Sequence, residues 1–185
     1  MLNTSNKRGF SLIEAITAVF IVSMALVSVL AVAQTTIRAQ TINKYAIISS
    51  MLAQEGLELV RNVRDTNWRN SWNWKTGDGT NTNTDIVQSS GNNTYTIYAN
   101  PSNNLIVINS TPDSINDAGT ELYQDANGYY VHAATVNPTP FRRLIQVNDH
   151  SSDGYLEVTC IVQAQGSGND TYTYKASTLL YNWWQ

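Results

Sequence analysis

The sequence predicts an α+β fold, in which one long N-terminal helix precedes a small antiparallel β-sheet. Three observations carry that expectation. A membrane-length apolar run extends from Ala15 to Ala33. Helical spacing of apolar residues then continues without a Pro to Val63. From Thr94 the texture changes to short β-prone runs separated by Asn, Asp and Gly clusters.

The chain opens with Lys7-Arg8-Gly9-Phe10-Ser11-Leu12-Ile13-Glu14 directly ahead of the apolar run. Cations beside such a segment are retained on the cytoplasmic side, which places the rest of the chain across the membrane. Glu14 is the anomaly. An ionisable group inside lipid costs at least about 2.5 kcal/mol and persists where it has a partner or a function. Glu14 therefore reads as a site.

This octapeptide and the run behind it resemble the prepilin signal of type IV pilins and type II secretion pseudopilins. The resemblance implies a pilin-like fold and cleavage by a prepilin peptidase between Gly9 and Phe10, with N-methylation of Phe10. It also implies that Glu14 neutralises the N-terminal amine of a neighbouring subunit as a filament assembles by helix packing. The partners it implies are the peptidase, other pilin or pseudopilin subunits, an inner-membrane assembly platform and, before assembly, membrane lipid. The implied location is the bacterial inner membrane, single-pass with the N-terminus cytoplasmic, and then an extracellular or periplasmic filament. Many members of the family interrupt the membrane half of the helix with Pro or Gly, whereas Ala15 to Ala33 contains neither.

Two plainer readings compete. Lys7 and Arg8, an apolar core and Ala31-Val32-Ala33 before Gln34 also make up a secretory signal peptide. Against it, the run of about 19 residues exceeds the usual h-region and approaches the ~20 that span a bilayer. The other reading is a generic single-span anchor in which Glu14 snorkels to the interface. The residues after Ala33 bear on both. Ile37, Thr41, Tyr45, Ile48, Leu52, Gly56, Leu59 and Val63 recur at spacings of three and four, widened by Ile42, Ala46, Ala53, Leu57 and Val60. Arg38, Gln40, Lys44, Gln54, Glu58, Arg61 and Arg64 take much of the remaining surface. One helix of about 55 residues, roughly 80 Å long, results. The expected divisions of the chain are a leader over 1–9, then the apolar transmembrane or filament-core half of the helix over 10–33 and its amphipathic half over 34–65. Gly56 is its weak point, at about 1 kcal/mol against Ala.

Residues 66–92 read as a Trp/Asn-rich connection without period, and 93–185 as the antiparallel β domain. Its strand segments are Thr94 to Ala99, Leu105 to Asn109, Tyr129 to Ala133, Phe141 to Val147, Tyr155 to Ala164 and Thr171 to Tyr181. The last three are expected to form a meander with one face on the helix. The order of these parts, and the ending Leu179-Leu180-Tyr181-Asn182-Trp183-Trp184, resemble minor pilins and minor pseudopilins.

Trp68, Trp72 and Trp74 admit three roles. They could seal the sheet edge and helix end, mark a subunit contact, or stack on sugars or bases. The last would make the chain a filament-tip adhesion or uptake subunit that binds glycan, surface or DNA.

The formal charge is −3 and becomes −5 once Lys7 and Arg8 are removed, which argues against broad nucleic-acid binding. Arg61, Arg64, Arg69 and Lys75 form a local basic group at the helix end, where cations suit the macrodipole. Cys160 is the single cysteine, so no intrachain disulfide forms. It shares a strand face with Leu156, Val158 and Val162 and reads as a small buried hydrophobe. Nothing ties His132 or His150 to it as a base. No catalytic constellation or metal-ligand spacing is expected, and the chain reads as a non-enzyme without a resident cofactor. Calcium is the open alternative, on loop oxygens of Asp113, Asp117, Asp125, Asp149, Asp153 and Asp170, because some pseudopilins bind it.

Overall fold

The computed structural model describes residues 9, 11–88, 93–100, 102–103, 105–109, 112–133, 137–166 and 170–183. The chain divides into two compact units, Met1–Asn43 and Lys44–Gln185. Helix α1 runs from Leu12 to Arg69.

In the first unit every described residue is exposed, including Leu12, Val19, Phe20, Met24, Leu26 and Leu30. The helix is long and apolar enough to cross a membrane. Its hydroxyls are turned back on its own backbone. Thr17, Ser23 and Ser28 donate to the carbonyls of Glu14, Phe20 and Met24 at 3.0, 2.8 and 3.0 Å. A polar group without water must be satisfied internally, and this pattern does so one turn back along the helix.

The second unit holds the sheet. Strands β1 (Thr94–Ala99), β2 (Ile106–Asn109), β3 (Glu121–Gln124), β4 (Tyr130–Val131), β5 (Asn137–His150), β6 (Tyr155–Gln165) and β7 (Thr171–Tyr181) form one antiparallel seven-stranded sheet. β5 is the axis. One edge pairs with β6 from Phe141↔Ala164 to His150↔Tyr155, and β6 pairs with β7 along its whole length. The other edge of β5 is shared between β1, at Gln146 and Ile145, and β3, from Arg142 to Asn137. β2 extends β1 and β4 extends β3. The expected meander is thus β5–β6–β7.

β5 begins four residues earlier than its apolar pattern, at Asn137, with Pro138 and Pro140 inside it. Pairing with β6 starts only at Phe141, so these prolines sit where β5 lacks its β6 neighbour and one missing N–H is tolerated. β3 escapes the sequence pattern because Glu121-Leu122-Tyr123-Gln124 is short, and a register shift between Glu121 and Tyr123 breaks its alternation.

Along the helical part of this unit, Ser49, Leu52, Ala53, Gly56, Leu57, Val60, Val63, Arg64, Asn67 and Trp68 are buried. The buried stripe therefore centres on Ala53, Leu57 and Val60, which were expected only to widen it. Leu59 is half-buried, and Ile37 and Ile42 are exposed. Burying Leu52, Leu57, Val60 and Val63 contributes about 1.5–3 kcal/mol each. The stripe meets Ile145, Val158 and Cys160 in the core.

The helix ends at Arg69, four residues past the expected boundary at Asp65. Tertiary contacts account for the difference. The Asn67 side chain donates to the Thr84 carbonyl at 2.8 Å, and Trp68 packs on Trp74. Ser71 at φ 56° then stops the helix, with its N–H on the Trp68 carbonyl and that of Trp72 on the Asn67 carbonyl, both at 2.9 Å. That is a Schellman closure, in which a left-handed residue lets two orphan carbonyls be satisfied.

Candidate functional site

Gly9 is exposed, and a Cβ placed on it would meet no atom within 4 Å. Phe10, the other side of the expected cleavage point, lies outside the described residues, as do Lys7 and Arg8. Glu14 occupies the first turn of α1, where a carboxylate complements the free N–H groups of the helix start. Its side chain is exposed between Ile13 and Ala15, on a helix that carries no other charged residue through Ala33. Among the described residues its carboxylate takes part in no hydrogen bond or ion pair. An unpaired anion on an apolar helix is stable while the residue reaches water or a headgroup region. Transfer to a dry environment requires a cation.

The three loop tryptophans part ways. Trp68 belongs to the last turn of α1 and is buried, and Trp74 is buried beside it at 6.5 Å. Trp72 is 39 % exposed. All three border a shallow groove of about 320 Å³ with Ser71, Asn73 and Asn182. Trp68 also receives Trp183 edge-on at 4.7 Å, a contact between the helix end and the chain end that sequence order conceals. Trp184 lies outside the described residues.

The basic group at the helix end is dispersed into local pairs. Arg61 bonds Glu58. Arg64, expected on the polar surface, is buried with its guanidinium 4.5 Å over Trp68 and 2.8 Å from Asp65. Lys75 reaches Asp149 at 3.2 Å. Arg69 donates to Thr66 Oγ1 at 3.1 Å.

Two of the acidic loop residues shape their own turns. Asp117 Oδ2 accepts the N–H groups of Asp113 and Ser114, and Asp125 Oδ1 those of Asn127 and Tyr129. Among the described residues no three or more His, Cys, Asp or Glu side chains are grouped to hold a metal ion.

Cys160 is buried on β6 with Leu156, Val158, Val162 and Ala164, and burial pushes its thiol up to about 12. Burial, with the Arg143 charge as the lesser cause, pushes His132 down to about 3, and its Nδ1 lies 3.1 Å from the Glu121 carbonyl oxygen. His150 stacks on Tyr155 at 4.8 Å. A thiol held neutral is a core residue, with the thiolate nucleophile suppressed.

The residue that pattern reading missed is Arg143. It is fully buried on the helix-facing side of β5, flanked by Phe141 and Ile145. Its guanidinium donates to the Leu52 carbonyl of α1 at 3.1 Å and to the Ile97 carbonyl of β1 at 2.7 Å, with Glu55 at 3.3 Å. A fixed fork of donors suits this three-way junction. The alternation Phe141, Arg143, Ile145, Val147 already placed Arg143 on the core face.

Comparison with protein families matches the prokaryotic N-terminal methylation motif over residues 4–33. Comparisons with curated proteins and with solved structures give no match. The chain therefore carries the type IV pilin and pseudopilin signal ahead of a long apolar helix. That signal implies processing by a prepilin peptidase and assembly with other pilin subunits, and the helix fits membrane anchoring before assembly.

Proposed function

We propose that the chain is a structural subunit of a type IV pilus or related pilin-like filament, in the manner of a minor pilin or pseudopilin. A prepilin peptidase cuts it between Gly9 and Phe10 and methylates the new Phe10 amine. Glu14 then pairs with the N-terminal amine of a neighbouring subunit as the apolar helices pack. The observation that supports this most is the methylation motif over residues 4–33 with Glu14, on the first turn of a long apolar helix, as a carboxylate without a partner among the described residues.

The chemistry is charge pairing. In the membrane, Glu14 near the helix start reaches the interface and costs little. In a filament core it is dry, and a lone carboxylate there costs several kcal/mol unless a cation lies within about 4 Å. A neighbour's amine, itself pulled from water, meets the same need, so the pair enforces one axial register between subunits. Glu14→Val keeps the helix apolar and removes the pairing. The expected result is normal membrane insertion and processing with at least about tenfold less subunit in sheared filaments, the loss expected from roughly 1.4 kcal/mol of pairing energy. Equal incorporation of wild type and variant would overturn the reading.

A further inference from the structure

A groove of about 460 Å³ lies at the end of α1, lined by Asn62, Asp65, Thr66, Trp68, Arg69 and Trp183. We propose that it binds a carboxylated pyranose, such as a uronic or sialic acid unit at the end of a glycan. Its volume falls within the range of small-ligand sites of roughly 300–1,000 Å³.

The groove has an aromatic side and a polar side. Trp183 is 65 % exposed and rests edge-on against the buried Trp68, so an indole surface is presented on a firm apolar floor. The apolar face of a pyranose stacks on such a surface while its hydroxyls project sideways. Asn62, Thr66 and Arg69 stand one above the other on a single face of α1, at the i, i+4, i+7 spacing. They are already ordered as a ladder, with Arg69 donating to Thr66 Oγ1 at 3.1 Å and Thr66 Oγ1 donating to Asn62 Oδ1 at 3.3 Å. The same three residues border a second groove of about 380 Å³, giving an extended glycan a continuation past the ladder.

Charge selects an acidic sugar. The Asp65 carboxylate is engaged by Arg64 at 2.8 Å, and that guanidinium also covers Trp68. Arg69 therefore leaves the groove net positive, and its planar fork matches a carboxylate with two parallel hydrogen bonds. A hydrophobic partner side chain fits less well, because it would desolvate the polar ladder without replacing its bonds to water. A nucleic-acid strand needs cations that track several phosphates, whereas the chain carries a formal charge of −3.

The test is a tryptophan-fluorescence titration of the full chain in lipid nanodiscs with digalacturonate, neutral galactobiose and a ten-nucleotide oligo-dT. Digalacturonate is expected to bind at least about tenfold tighter than galactobiose, and Arg69→Gln is expected to erase that preference, with a loss of digalacturonate affinity at least about fivefold larger than any loss for galactobiose. Trp183→Ala is expected to weaken both sugars by about fivefold or more through loss of stacking, measured below the variant's own unfolding temperature. Equal affinity for the two disaccharides, no saturation by digalacturonate up to about 10 mM, or tighter binding of oligo-dT would each overturn the proposal.

Discussion

Gly56 faces Cys160 so closely that a Cβ on Gly56 would lie 2.8 Å from the Cys160 sulfur. Ile145 Cδ1 stands 3.2 Å from the same point. The residue that weakens the helix is thus the one that lets the helix approach the sheet, and the approach also brings Arg143 within reach of the Leu52 carbonyl.

Gly56→Ala therefore destabilises this unit, although Ala is the better helix former. Overpacking costs about 1–3 kcal/mol and exceeds the roughly 1 kcal/mol gained in propensity. Thermal unfolding of the single variant, and of a Gly56→Ala/Cys160→Ala pair that removes the sulfur, checks it. The pair is expected to be more stable than the sum of its parts. Additive effects would show that the two residues do not collide.

Arg143→Ala is expected to be among the most damaging substitutions, at about 3 kcal/mol or more, because it removes hydrogen bonds to two buried carbonyls and leaves a cavity. Glu55→Gln should cost about 1 kcal/mol or less, since the Glu55 side chain is 41 % exposed and water screens the pair. Denaturant titration of both variants measures the ranking, and a larger loss for Glu55→Gln would reverse the assigned roles.

The sequence exposed the helix and the meander for a physical reason. Apolar periodicity over tens of residues in α1, and strict alternation in Tyr155–Gln165, are signals that no single contact can override. It concealed what long-range contacts decide. Asn67 and Trp68 lie in polar, unperiodic text, and their partners Thr84, Trp74 and Trp183 are distant in sequence. Arg143 was legible by alternation, yet its partners on α1 and β1 are 91 and 46 residues away in sequence. The Glu14 signal was fully local and needed no fold to be read.

The tryptophans should separate by role. Trp68→Ala removes a buried indole and is expected to cost about 3–5 kcal/mol, whereas the more exposed Trp72 is expected to cost about 1 kcal/mol or less. Unfolding curves of the two variants decide between packing and a shared surface function for the loop. Equal, small losses would favour the surface function.

Stability should fall with acid through His132. Its folded pKa of about 3 lies below the ordinary 6.5, so the unfolded chain binds a proton between those values and the folded chain does not. The contribution is complete above about pH 6.5 and is lost as pH falls toward 3, with a slope of at most about 1.4 kcal/mol per pH unit. His132→Gln should flatten the wild-type curve over that window. A variant whose pH profile parallels the wild type would assign the acid sensitivity to other groups.

Processing at Gly9–Phe10 is read out by intact-mass and N-terminal peptide mass spectrometry of the chain from a host with a prepilin peptidase. The mature chain is expected to begin at Phe10 with a methylated amine. A mature chain beginning at Gln34, or one still beginning at Met1, would contradict it.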